Sequence, residues 1–193
     1  MFTIFVNVLL YKKSIVVFKR LPMITQTTDT PFILMLDLQA SDFQDEWSRC
    51  NVLANYIGEY TAYQFTQRER AENLISTIAN ELLEAATNLA TNQSTVQLNI
   101  THDTDTLKVI ICHKISPEKL SAFETFIESL EPSDSQHYLS LLTSETQPDL
   151  YFNQLGLAML THDFGVTVSV EKSNSDDEVY CTTTVVSNEE FSA

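Results

Sequence analysis

Apolar residues change their spacing several times along this chain, and each change of period marks a different element. Phe32-Ile33-Leu34-Met35-Leu36 is a short apolar run directly after Pro31 and reads as a strand. Ser41 followed by Gln44 has the form of a capping box, in which two side chains satisfy backbone N–H groups at a helix start. It predicts a helix to about Tyr63, with Trp47, Cys50, Ala54 and Ile57 on its apolar face. Thr66 followed by Glu69 is a second such box. Beyond it Leu74, Ile75, Ile78, Ala79, Leu82, Leu83, Ala86, Leu89 and Ala90 recur at three- and four-residue spacing, which predicts a long helix with one broad buried face.

The period then drops to two. Val96, Leu98 and Ile100 alternate with polar residues, and His102-Asp103-Thr104-Asp105 is a polar turn. Leu107-Lys108-Val109-Ile110-Ile111-Cys112 follows, apolar on both faces as a central strand is. Ser116-Pro117 opens another helix, with proline at its first position, where its missing N–H costs nothing. That helix carries Leu120, Phe123, Phe126, Ile127 and Leu130 up to Glu131-Pro132. A weaker helical pattern covers residues 135–142, a loop passes through Pro148, and residues 151–164 are helical with Gly165 as the C-terminal cap. Strands at 166–170 and 179–186, joined by an acidic turn at 173–178, complete the pattern. The order β-α-α-β-β-α-(α)-α-β-β predicts an α/β (α+β) two-layer sandwich, a mostly antiparallel sheet with helices on one face.

Composition narrows the function classes. The 193 residues hold 26 acidic and 11 basic side chains, a net charge of −15, which argues against nucleic-acid binding through clustered Lys and Arg. The charge is uneven. Lys12, Lys13, Lys19 and Arg20 stand among the apolar runs 2–10 and 15–18, and no acidic residue precedes Asp29. Residues 1–22 have neither the charge order of a signal peptide nor the length of a membrane span. They are expected to be an extension outside the domain, with translation starting at Met23; a membrane-surface anchor is the other reading. From Met23 seven basic residues face 26 acidic ones, a balance of −19 for an expected single domain at 23–193.

The three glycines, Gly58, Gly156 and Gly165, are too scattered for a loop that cradles phosphate with bare backbone N–H groups. Three cysteines, Cys50, Cys112 and Cys181, cannot all pair and form no CxxC, which reads as buried thiols in a reducing cytoplasm. His102, His113, His137 and His162 have no metal-ligand spacing, and Cys112 and His113, adjacent on one strand, point to opposite faces. No metal site is expected.

The run Arg70-Ala71-Glu72-Asn73-Leu74-Ile75-Ser76-Thr77-Ile78-Ala79-Asn80-Glu81-Leu82-Leu83-Glu84-Ala85-Ala86 resembles the N-box helix of the histidine-kinase-like ATPase superfamily. The element order over residues 32–187 is similar as well. Residues 109–119 resemble the strand of the first glycine box, residues 151–160 the helix of the second, and Cys181-Thr182-Thr183-Thr184-Val185 the closing Gly-Thr-Thr-Phe strand. In length and first-box region the chain looks like small bacterial proteins of the SiaB protein-kinase type, related to anti-sigma-factor kinases. The resemblance implies Glu81 as the catalytic base, Gly156 and Thr182 as nucleotide contacts, and ATP with Mg²⁺ as cofactors.

The departures from the family pattern bear on chemistry. Ala85 stands where the Mg²⁺-binding asparagine is expected, and a methyl group cannot ligate a hard cation. The stretch 111–117 lacks the adenine-binding carboxylate and its glycines, and Leu155 and Leu157 flank Gly156. Asn153 or Gln154 could still offer an amide to a phosphate. Without the family, Glu81 reads as a solvated helix residue, Gly156 as a packing glycine and Thr182 as an ordinary strand residue. Two functions follow. One is a regulatory protein of bacterial signalling with a degenerate ATPase domain that binds a partner protein, such as a sigma-antagonist-like domain. The alternative is an active ATP-dependent serine/threonine protein kinase of the SiaB or anti-sigma-factor type.

Overall fold

The computed structural model describes residues 32–191, apart from 45, 92, 132–133, 144–151 and 174–177. The expected N-terminal extension, residue 151 of the expected 151–164 helix and most of the acidic turn lie outside the described residues. The order is β1 (Phe32–Gln39), α1 (Ala40–Gln44), α2 (Ser48–Ala62), α3 (Arg68–Leu89), β2 (Thr95–His102), β3 (Thr106–Lys114), α4 (Pro117–Ser129), α5 (Ser135–Thr143), α6 (Gln154–Phe164), β4 (Thr167–Lys172) and β5 (Val179–Ser187), ending in a 3₁₀ turn, Asn188–Phe191. The five strands form one sheet in the order β1-β2-β3-β5-β4, with every pair antiparallel. This is the expected fold class, and β3, the strand apolar on both faces, is central.

Burial alternates along β2 and β3 and divides the sheet into two faces. Leu98, Ile100, Leu107, Val109, Ile111, Thr184 and Val186 are buried on the face that packs against the helices, with Ile75, Ile78, Leu82 and Leu83 of α3. Even the hydroxyl of Thr184 is satisfied there, donating to the Val109 carbonyl at 3.0 Å. The hairpin turn works as its residues suggest: Asp103 Oδ1 accepts from the N–H groups of Asp105 and Thr106 at 3.0 and 2.8 Å. Ser116 caps α4 by accepting from Lys119 N, and Gly165 ends α6 in the left-handed region at φ 60°. No helix among the described residues is long and apolar enough to cross a membrane.

Four expectations need correction. The first is the single helix from Ser41 to Tyr63, which breaks at Trp47. Gln44 does not cap; its amide donates to Thr87 O of α3 at 2.7 Å, and Arg49 bridges the break by donating to Asp42 O at 2.8 Å. Trp47 therefore leaves the apolar stripe and is 67% exposed. The second is the Thr66–Glu69 box: α3 starts at Arg68 behind Gln67, with no side-chain cap. Third, the last helix opens at Gln154, behind the cap Asn153.

The fourth concerns the cysteines. Cys112 and Cys181 face each other in the β3–β5 register, with Cα atoms 4.0 Å apart, and are joined as a disulfide on the sheet face away from the helices. Only Cys50 is a buried free thiol, its pKa pushed up to about 11 by burial.

Candidate functional site

Helical spacing alone would leave Glu81 beside the apolar stripe of α3, but the first turn of α6 lies against it. Asn153, the residue before α6, uses both ends of its amide. Its Oδ1 accepts from Gly156 N at 3.1 Å, capping the helix, and its Nδ2 donates to Glu81 Oε2 at 3.2 Å. The carboxylate fills the space where Gly156 has no side chain. A Cβ built on Gly156 would collide with Glu81 Oε2 and stand 2.5 Å from its Cδ and 2.9 Å from Asn153 Nδ2. The structure thus brings together two of the three candidate residues, and adds Asn153 as the link. A carboxylate beside the positive end of a helix is favourably placed, because the dipole and the unpaired first-turn N–H groups attract negative charge.

On the other side, Asn80 Nδ2 donates to Glu84 Oε1 at 2.9 Å and to Glu81 Oε1 at 3.4 Å. Burial raises the Glu81 pKa, and the neighbouring Glu84 charge adds to that, while the two asparagine amides work against it. Asn80 Oδ1 is buried without a hydrogen-bond partner. That single amide oxygen does not replace a ligand set for Mg²⁺, which demands near-octahedral oxygen coordination. Ala85 supplies nothing, and no cluster of three His, Cys, Asp or Glu suited to a metal occurs among the described residues. These residues do not fit a Mg²⁺–nucleotide complex: Asn153, one of the two amides that could meet a phosphate, is engaged by Glu81, and the carboxylate occupies the start of α6.

Thr182 lies apart. It is buried on β5, opposite Ile111 and Val170, and no hydrogen bond joins it to Glu81 or Gly156. Elsewhere in the core, His113, Leu157 and Ala158 are buried, and Phe152 packs edge-on to Phe123 with ring centroids 5.0 Å apart. His113 stands in the first-box stretch, and burial pushes its pKa down, so its imidazole is held neutral. An open groove of about 790 Å³ lies elsewhere, along the N-terminal half of α3, lined by Thr66, Arg68, Arg70, Asn73, Thr77 and Phe164. It includes none of the three candidates.

No protein-family model matches this sequence, and no curated protein matches it either. Among solved structures, the chain is similar to a mycobacterial sensor histidine kinase, MprB, with a TM-score of 0.40 and 9% identity over 78% of this chain and 97% of that one.

Proposed function

We propose that this chain is a regulatory protein of bacterial signal transduction whose histidine-kinase-like ATPase domain is degenerate, and that it acts by binding a partner signalling protein. One observation carries the reading: the Glu81 carboxylate, tied to Asn153, fills the place that Gly156 leaves at the start of α6. An internal anion there repels a triphosphate and engages the Asn153 amide, one of the donors that would receive it. The lost metal ligand at Ala85 and the burial of His113 and Leu157 support the same conclusion. The partner is a protein such as a small sigma-antagonist-like domain, since the acidic surface is unsuited to nucleic acid. A cytoplasmic setting rests on the sequence reading alone, and the Cys112–Cys181 bond counts against it.

The alternative, an ATP-dependent serine/threonine kinase of the SiaB or anti-sigma-factor type, has one feature in its favour. A half-buried glutamate with a raised pKa is what a general base requires. The test is affinity capture of the full chain and of Glu81→Ala from cells, followed by phosphosite mapping of the captured partner. A shared partner with the same phosphorylation in both supports the binding module. A partner that loses a phosphorylated Ser or Thr with Glu81→Ala overturns it in favour of the kinase.

A further inference from the structure

A second cluster of reactive side chains lies where α5 meets α6. Ser135 Oγ is 3.0 Å from His162 Nε2, and His162 Nδ1 is 2.9 Å from Asp163 Oδ1. The Tyr138 hydroxyl donates to the other carboxylate oxygen, Asp163 Oδ2, at 2.9 Å, and its ring stacks on the imidazole with centroids 4.4 Å apart. The hydrogen bonds from His162 and Tyr138 hold the Asp163 pKa below its ordinary value, so it stays an ionised acceptor. An acceptor on that side places the imidazole proton on Nδ1 and leaves the Nε2 lone pair for the Ser135 O–H. A hydroxyl against a base that is itself oriented by a carboxylate is the arrangement that activates a serine.

We propose that Ser135, His162 and Asp163 form a nucleophilic acyl-transfer centre that hydrolyses carboxylic esters with a short apolar acyl group. The substrate class follows from α5. Leu139 and Leu142 are 55% and 50% exposed, and stand four and seven residues beyond Ser135 on the same helix face. In the reaction Ser135 Oγ bonds to the ester carbonyl carbon while its proton passes to His162 Nε2. The carbonyl carbon then releases the alcohol, which takes that proton. Water next attacks the acyl-serine, gives a proton to Nε2, and the acid leaves as the proton returns to Ser135 Oγ. Ester and water become acid and alcohol, with no other reactant. Asp163 and Tyr138 are positioning residues. Solvent reaches Asp163, whose side chain is 41% exposed, so the relay works in a higher dielectric than a buried one and the enzyme is slow.

The centre is independent of the Glu81 site, and its test reads no nucleotide. The full chain is assayed with p-nitrophenyl butyrate and labelled with a fluorophosphonate probe, the modified residue being identified by peptide mass spectrometry. The expected result is label on Ser135 and a kcat/KM about 100-fold or more above that of Ser135→Ala, because nucleophile and base act as a unit and losing either forfeits at least the general-base contribution. Asp163→Asn should lower kcat with KM unchanged and the melting temperature close to wild type, which a merely structural link between α5 and α6 would not do. Absence of label from Ser135, or equal hydrolysis by Ser135→Ala, overturns the proposal; Ser135 is exposed, so that variant folds.

Discussion

Replacing Gly156 by alanine tests the contact between α3 and α6 at its centre. Gly156 does not have a positive φ, so an alanine backbone is acceptable there. The added methyl collides with the Glu81 carboxylate, the far end of a flexible side chain, which therefore swings away and loses Asn153. A hydrogen bond to a charged group contributes about 1.5–3 kcal/mol, and partial solvent access places this one at the lower end. Against that loss, alanine in a helix is favoured over glycine by roughly 0.5–1 kcal/mol. The net expectation is destabilisation by about 1 kcal/mol, or a fall of about 2–4 °C in Tm for a chain of this size. With Glu81→Ala already in place only the 2.9 Å approach to Asn153 Nδ2 remains, which a small turn of that amide relieves, and the same change should stabilise by up to about 0.5–1 kcal/mol. Thermal and urea melts of the wild type, both single variants and the double variant complete the cycle. The reversal of sign is the signature. An equal cost in both backgrounds would refute the contact.

Three further outcomes follow. Glu81 has a folded-state pKa raised above its ordinary 4.5, so its favourable contribution is complete below about that pH and is lost as pH rises through the raised value. Glu81→Gln, which mimics the protonated acid and keeps an acceptor for Asn153, should therefore gain stability over wild type as pH rises through that window; a gain that grows toward acid would contradict it. In denaturant without reductant, iodoacetamide should add to one cysteine, Cys50, and after reduction to all three; three additions without reductant would exclude the Cys112–Cys181 bond. Gly165→Ala should cost about 1 kcal/mol by melting, because its left-handed φ disfavours a Cβ although the nearest atom, Glu190 Oε1, is 3.6 Å away; no cost would mean that the cap adopts another geometry.

Local chemistry made much of the fold legible. The period-two run into Val109, the Ser116-Pro117 start and the Gly165 stop depend on neighbours in sequence, and each is found where its residues place it. The Ser41–Gln44 capping box did not hold, because Gln44 binds the Thr87 carbonyl, 43 residues on, instead of the backbone beside it. The site was half legible. Glu81 and Gly156 stand out in the sequence, but their contact depends on α6 docking against α3, and the role of Asn153 is visible only then. The Cys112–Cys181 bond likewise depends on the β3–β5 register, and the Ser135–His162 hydrogen bond on how α5 meets α6. Long-range pairings of this kind leave no periodic trace.

In the proposed function the Glu81 carboxylate stands where a nucleotide phosphate would otherwise lie. Calorimetric titration with ATP and ADP, with and without Mg²⁺, tests it most directly. No binding heat is expected at millimolar nucleotide, for the wild type and for Thr182→Ala alike. Micromolar affinity that is lost on changing Glu81 or Thr182 would contradict it.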